Sequence, residues 1–300
     1  MVAAQNIEST HFPQYQHFPR PVDASLVSDS ITALCGKPRR IFGLHIRDTT
    51  LEEAAGWLIG RAKASLTTNV AFVNAHSINT FNRNAQFAND LSRFHCIFAD
   101  GIGLRLAGRA AGLELQDNVN GTDLFPRLCA AAATENVGIY LLGAAPGVAA
   151  AAARNMKDAH PDLRICGTAP GFFENSEDED RAIEAINASA AEVLLVGMGV
   201  PTQERWIARN RHRLKPSVLI GVGGLFDYFS GNIPRAPLWM RKTGLEWVWR
   251  LSMEPKRLAR RYLLGNAEFL LRLAAQRLLS PQLFEQSEDT ALPLGVAAPR

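Results

Sequence analysis

Apolar residues in this chain fall into short runs of three to six, separated by longer stretches where they recur every three or four positions. The runs are Val70–Val73, Cys96–Phe98, 137–142, Leu163–Cys166, 193–197 and 218–222, and most end in Gly, Asn or Asp. Runs of that length and composition predict strands buried on both faces. The intervening periodicity predicts helices over 122–134, 147–158, 178–188 and 202–213. An earlier helix is expected to end near Ala64, and Asp48-Thr49-Thr50 before Glu52 and Glu53 offers it two overlapping capping-box starts. Ile41–His45 is read as a first short strand. Strands alternating with helices imply βαβ units and a parallel sheet covered on both sides. The fold class is therefore α/β, a Rossmann-like parallel sheet over 36–231. After Gly231 the alternation stops, and a helical appendage is expected over 232–280. Pro255 predicts that it contains at least two helical pieces. Residues 1–35, rich in Gln, Ser, Pro and His, are read as a disordered tail, and 281–300 as a second one.

Charge sharpens the last boundary. The whole chain carries a net charge of only +3, which gives no nucleic-acid signature. Between Arg235 and Arg261, however, eight basic residues stand against Glu246 and Glu254, interleaved with Trp239, Trp247 and Trp249. A basic, tryptophan-bearing segment suits an anionic membrane surface, whereas a helical subdomain with core tryptophans is the plainer account. No stretch holds 18 consecutive apolar residues, so no spanning helix is expected. The N-terminus lacks a basic region followed by an apolar one, so no signal peptide is expected either. The four cysteines, Cys35, Cys96, Cys129 and Cys166, are far apart, which argues against disulfides or zinc and fits a reducing compartment.

Candidate chemistry lies where strands end. Val193–Val196 runs into Gly197 and Gly199, then Pro201, Gln203 and Glu204, placing a polar residue and free N–H groups at the carboxyl edge of the sheet. The next strand runs into Gly223-Gly224 and Asp227. Asp100 follows an apolar run and precedes Gly101; it is either a positioned general base or the cap of the next helix. Asn74 ends the previous strand, and its amide suits a sugar hydroxyl or phosphate as well as a simple turn. Asn120, Thr122 and Asp123 open a helix, as caps or as a substrate loop. Gly143 begins a glycine-bearing loop, Gly143–Gly147, able to cradle a diphosphate, without a full G-x-G-x-x-G or an acid closing the following strand. There is no P-loop. The acidic run Glu177–Asp180 reads as a helix N-terminus rather than a metal site, and His76, His95 and His160 lack ligand spacing, so neither metal nor cofactor is expected.

VGMGVPTQERW, then GVGGLFDYFSGNIPRAPLWMRKTGLEWVWRL, then EPKRLARRYL, in that order, resemble the WecG/TagA/CpsF family of bacterial glycosyltransferases. The resemblance takes in Ala99-Asp100-Gly101, Asn120–Asp123 and Asn187, and covers roughly 40–265. It implies that Asp100 is the catalytic base, that Gln203 is the active-site glutamine of P-x-Q-E-x-W, and that Asn74 lines the pocket. It also implies that Arg250, Arg257 and Arg260 meet a diphosphate. Two positions depart from the pattern: Phe72 stands where the family commonly has Thr, and Asn118 where it commonly has Arg. The implied reaction is metal-independent, inverting transfer of N-acetylmannosamine or a related sugar from a UDP-sugar to a polyprenyl-diphosphate-linked acceptor. The enzyme would work as a peripheral protein on the inner face of the cytoplasmic membrane, and a homo-oligomer stays open. An NAD(P)-dependent oxidoreductase and a non-catalytic nucleotide-binding membrane module are the rival readings.

Overall fold

The computed structural model describes residues 35–279 and the backbone of 285–286. It opens with β1 (Lys37–Ile41) and β2 (Leu44–Asp48), an antiparallel hairpin where the sequence suggested a single strand over Ile41–His45. The turn is Phe42-Gly43, with φ of 54° and 79°, the left-handed pair that a two-residue hairpin loop requires. Ile41, Phe42 and Leu44 are all buried, so an apolar run conceals the reversal. A non-glycine residue in that conformation costs about 1–2 kcal/mol, offset here by packing of the Phe42 ring against Phe269, 5.3 Å away.

α1 (Leu51–Lys63) uses the later of the two anticipated caps. Thr50 Oγ1 accepts the Glu53 N–H at 3.2 Å, and the Glu53 carboxylate accepts the Thr50 N–H. There follow β3 (Thr68–Val73), α2 (Ala75–Arg83), α3 (Ala85–Leu91), β4 (Cys96–Ala99), α4 (Ile102–Ala110) and α5 (Gly121–Thr134). The regular alternation continues with β5 (Ile139–Gly143), α6 (Val148–Ala159), β6 (Ile165–Ala169), α7 (Ser176–Ala188), β7 (Val193–Gly197), α8 (Thr202–Asn210) and β8 (Val218–Gly221).

β3 to β8 form one parallel sheet in the order β4-β3-β8-β7-β5-β6. The alternating pleat sorts its side chains into two cores. Val70, Phe72, Ile139, Leu141, Val193, Leu195 and Ile220 pack with α1, α5 and α6. Ala71, Val73, Leu142, Leu194, Val196 and Leu219 pack with the hairpin and with α2, α3, α4, α7 and α8. Two covered faces explain why the strands read as unbroken apolar runs. Each fully buried Val, Leu, Ile or Phe contributes roughly 1.5–3 kcal/mol.

Beyond β8 come α9 (Leu225–Phe229), α10 (Leu238–Lys242), α11 (Glu246–Met253) and α12 (Pro255–Ala259), then a π-helical turn Arg260–Leu264 and α13 (Gly265–Leu279). Pro255 opens α12 and divides it from α11, as its fixed φ and missing N–H predict. The appendage folds back on the sheet domain. Phe269 and Leu273 of α13 join the second core, and Asn79 of α2 donates to Gly265 O at 2.7 Å. Gly244, at φ 76°, crosses Ile102 so closely that a Cβ there would lie 2.9 Å from the Ile102 Cβ. The tail readings fall largely outside the described residues. Within them, Cys35 is buried with its thiol 3.7 Å from Thr49 Oγ1, and Glu285–Gln286 (β9) pairs with β1.

Candidate active site

In an open parallel sheet, a crevice forms at the carboxyl edge wherever neighbouring strands send their following helices to opposite faces. β3 and β8 are such a pair, since α2 joins one core and α9 the other. Beside that crevice the β3–β4 register sets Val73 against Ala99. The next residues, Asn74 and Asp100, therefore leave the sheet side by side.

Their side chains meet there. Asn74 Nδ2 donates to Asp100 Oδ2 at 3.2 Å, while Asn74 Oδ1 accepts the Ser77 N–H at 3.2 Å and caps α2. Turn-forming and site-forming readings of Asn74 thus both hold, one at each end of the amide. Asp100 does not cap α4. The N-cap position belongs to Gly101, at φ 86° and without a side-chain cap bond, whose N–H donates to Asn118 Oδ1 at 2.7 Å. Freed from capping, the Asp100 carboxylate faces a cavity of about 500 Å³.

The sheet side of this cavity is formed by Asn74, His76, Asp100, Gly101, Asn118, Asn120 and Thr122. The appendage closes the other side with Arg241, Glu246, Trp247, Arg250, Arg261 and Tyr262, and Leu106, Leu263, Phe269 and Leu270 make one part of the lining apolar. Burial pushes the Asp100 carboxyl above its ordinary range, against the opposing pull of the Asn74 hydrogen bond and the Arg250 and Arg261 guanidinium groups. A carboxylate raised in this way binds a proton more readily, as a general base must. His76 moves the other way, down to about 4, because burial and the cations Arg261 and Arg83 disfavour its charge. It is therefore a neutral imidazole at neutral pH, able to donate at one nitrogen and accept at the other. The Arg250 guanidinium lies 5.2 Å from the Tyr228 ring centroid, a cation–π contact that limits its orientation.

The remaining sequence candidates divide. Asn120 caps α5 by accepting the Asp123 N–H at 2.8 Å and also lines the cavity with Thr122. Asp123 stands behind the wall, bonded to Arg235 Nη2 at 2.6 Å and Asn120 Nδ2 at 2.7 Å. Gly143, Gly199 and Gly223 belong to the neighbouring turns of the same edge and are not among the residues lining the cavity. Gly143 packs so tightly on β7 that a Cβ would fall 2.4 Å from Gly197 O. Gln203 is buried at 2% exposure, and its amide oxygen accepts the N–H groups of both Gly199 (3.1 Å) and Gly223 (2.8 Å). It ties two turns together from below the surface. Asp227 lies beside Gly224, on which Arg250 also rests: a Cβ at Gly224 would be 3.3 Å from Arg250 Nη2 and 3.6 Å from Asp227 Oδ2.

Of the three nominated arginines, Arg250 reaches the cavity. Arg257 is exposed and paired with Glu254 at 2.5 Å, and Arg260 is exposed. The residue that joins Arg250 is Arg261. Arg261 lies in the π-helical turn Arg260–Leu264, whereas Arg257 and Arg260 were nominated by resemblance to the family rather than by helical period. Tyr228 and Glu246 were not nominated from the sequence, and His76 and Asn118 were noted there only for lacking ligand spacing and for departing from the family pattern; all four line the cavity. Phe72 turns into the core against Phe98, 5.8 Å between centroids. Asn187 bridges Arg213 O and Lys215 N, a structural role. The acidic run is consumed by α7 and its neighbours: Glu179 and Asp180 pair with Arg209 and Arg213. Among the described residues, no three His, Cys, Asp or Glu stand together as a metal site.

The profile described as the glycosyl transferase WecG/TagA/CpsF family matches residues 39–282. The N-acetylglucosaminyldiphosphoundecaprenol N-acetyl-beta-D-mannosaminyltransferase of Bacillus subtilis is 33% identical over 175 residues, covering 58% of this chain and 67% of that protein. The enzyme of the same name from Bacillus spizizenii is 34% identical over the same shares. With strand-end Asp100, the closing appendage and a family match across most of its length, this chain belongs to the WecG/TagA/CpsF family of glycosyltransferases.

Proposed function

We propose that this glycosyltransferase moves a sugar, N-acetylmannosamine or a close relative, from a UDP-sugar to a polyprenyl-diphosphate-linked saccharide, by one inverting displacement without a metal. The single observation that carries the reading is the facing of Asp100, oriented by Asn74, with Arg250 and Arg261 across one cavity. The acceptor named in the two Bacillus relatives is a diphosphoundecaprenol-linked sugar, a substrate with a carbohydrate end, a diphosphate and a long apolar chain. The cavity offers polar, cationic and apolar lining in turn.

In the proposed step Asp100 accepts the proton of the acceptor hydroxyl as its oxygen attacks the anomeric carbon. The new C–O bond forms on one face while the bond to the diphosphate breaks on the other, and the electron pair leaves with UDP. Negative charge then grows on the departing diphosphate, where Arg250 and Arg261 supply fixed positive charge in a partly dehydrated site. Neutral His76 and the Asn118 amide provide hydrogen bonds to sugar hydroxyls.

The same reading brings the appendage to the inner face of the cytoplasmic membrane. Among the described residues no helix is long and apolar enough to cross a membrane. Instead Leu263, Leu264, Leu270, Leu271 and Trp239 are exposed on the appendage, next to its basic residues. Of the three tryptophans only Trp239 is exposed; Trp247 packs on Tyr262 and Trp249 donates to Pro234 O at 2.9 Å. Leucines therefore contribute more to the apolar surface than the tryptophans singled out by sequence.

Turnover of a UDP-sugar with a short-chain polyprenyl-diphosphate-sugar acceptor, in buffer containing EDTA, tests the reaction. Sedimentation with anionic liposomes, compared between the native chain and a Leu270→Glu, Leu271→Glu double variant, tests the surface. Product formed only from another nucleotide-sugar, or only with added metal, overturns the donor and metal statements. Equal sedimentation of both proteins overturns the membrane face.

A further inference from the structure

Glu204, next to Gln203 in α8, is buried at 1% exposure and takes no part in the cavity. Its Oε1 accepts from Gln203 Nε2 at 2.8 Å, while its Oε2 has no hydrogen-bond partner. An amide presents an oxygen at one end and two N–H groups at the other. Gln203 can offer its oxygen to both Gly199 and Gly223 only if its nitrogen end finds an acceptor, and Glu204 is that acceptor. Gly221 leaves the room this needs, since a Cβ there would lie 2.9 Å from Gln203 Nε2.

We infer that Glu204 is a positioning residue: it fixes the Gln203 amide so that the turns after β7 and β8 are pinned together, and through Gly223-Gly224 it sets the seat of Arg250. The link to the reaction rests on the proposed donor reading, because Arg250 is assigned there to the departing diphosphate. Retaining an ionisable group at this depth is costly. Burial, with Asp90 of α3 nearby, pushes the Glu204 carboxyl up to about 7. Asp90 is itself held by Arg205 at 3.8 Å and by Gln86 at 2.9 Å, and the strands beneath, β7 and β8, bring no ionisable side chain. A leucine of similar size would fill the site more cheaply, so packing alone does not account for the carboxylate.

Two variants of the full chain separate positioning from packing. Glu204→Gln keeps an acceptor oxygen and the shape, whereas Glu204→Leu leaves the Gln203 amide nitrogen without a partner. Hydrogen exchange is read at the Gly199 and Gly223 amides, and UDP affinity by calorimetry. The expected result for Glu204→Leu is a loss of about tenfold or more in amide protection and in UDP affinity, the scale of an unsatisfied buried donor. Glu204→Gln should restore most of both losses. Unchanged protection of the two glycine amides in a folded Glu204→Leu protein overturns the inference. Failure of the unsubstituted chain to bind UDP overturns the donor reading instead, and the amide exchange still decides the role of Glu204.

Discussion

Asp100 and Asn74 reach the cavity from adjacent strand ends, whereas Arg250 and Arg261 reach it from helical segments with no buried side chain of their own. The first pair is fixed by the parallel ladder and by two cores behind it. The second hangs on a few latches: Arg235 on Asp123, Trp249 on Pro234 O, Asn79 on Gly265 O, and Phe269 in the core. Proton transfer tolerates little displacement, and it is assigned to the stiff wall. Charge compensation acts over longer distances, and it is assigned to the wall that is clipped on.

The largest expected effect breaks the stiff wall's chemistry without moving it. Asp100→Asn should lower kcat by about 10²–10⁴-fold, the usual worth of a positioned base, while circular dichroism stays native. More than roughly a third of the original kcat would remove Asp100 as the base. Next comes the opposite wall: Arg261→Met should cost about 10²–10³-fold in kcat, comparable to losing one preorganised donor. Arg260→Met, one residue away but exposed, should cost less than about fivefold, as for exposed charges generally. Equal losses would mean that facing the cavity does not distinguish Arg261 from Arg260. The latch itself is tested by Arg235→Met, which leaves Asp123 to Asn120 and to Arg241, 3.9 Å away. Unfolding in urea should show a loss of about 1.5–3 kcal/mol, the usual worth of a hydrogen bond to a charged group.

Two smaller effects sharpen the comparison through pH. Because burial raises the Asp100 carboxyl, the acid limb of kcat/KM should lie above the ordinary carboxylate range. Activity should fall as pH drops through that limb, since the base must be ionised. Arg250 opposes the rise, so Arg250→Met should move the limb higher still. Stability follows the opposite sign. A carboxyl raised in the folded state leaves stability intact below its unfolded pKa and lowers it as pH climbs towards the folded value. Asp100→Asn should therefore raise Tm at pH 7 and leave it unchanged near pH 3.

The strand ends were legible because each carries its own punctuation. Asp100-Gly101 and Asn74 follow apolar runs directly, and the register that brings them together needs only two neighbouring strands. The hairpin was not legible, because Phe42 is both turn residue and core residue, and its partner Phe269 lies far along the chain. Gln203 was found as a residue and misplaced as a group. Its motif marks the right turn, but only the approach of Gly223 reveals that its oxygen is spent on two backbone N–H groups. Asp123 likewise joins its helix start as expected, yet its carboxylate is claimed by Arg235, 112 positions later.

By itself, then, the sequence determined what depends on local order: five buried strands, the helices between them, the break at Pro255, and the polar residues waiting at the sheet's edge; β6 was expected buried over Leu163–Cys166 and is instead a half-buried edge strand, Ile165–Ala169. Tertiary structure decided which of those residues share one cavity. That outcome depends on how the appendage lies across the sheet, where Arg261 lines the cavity while its neighbour Arg260 stays exposed. Contacts between residues far apart in the chain, such as Gly244 on Ile102 and Asn79 on Gly265, leave no periodic trace in either partner. Their energy appears only once both surfaces are built.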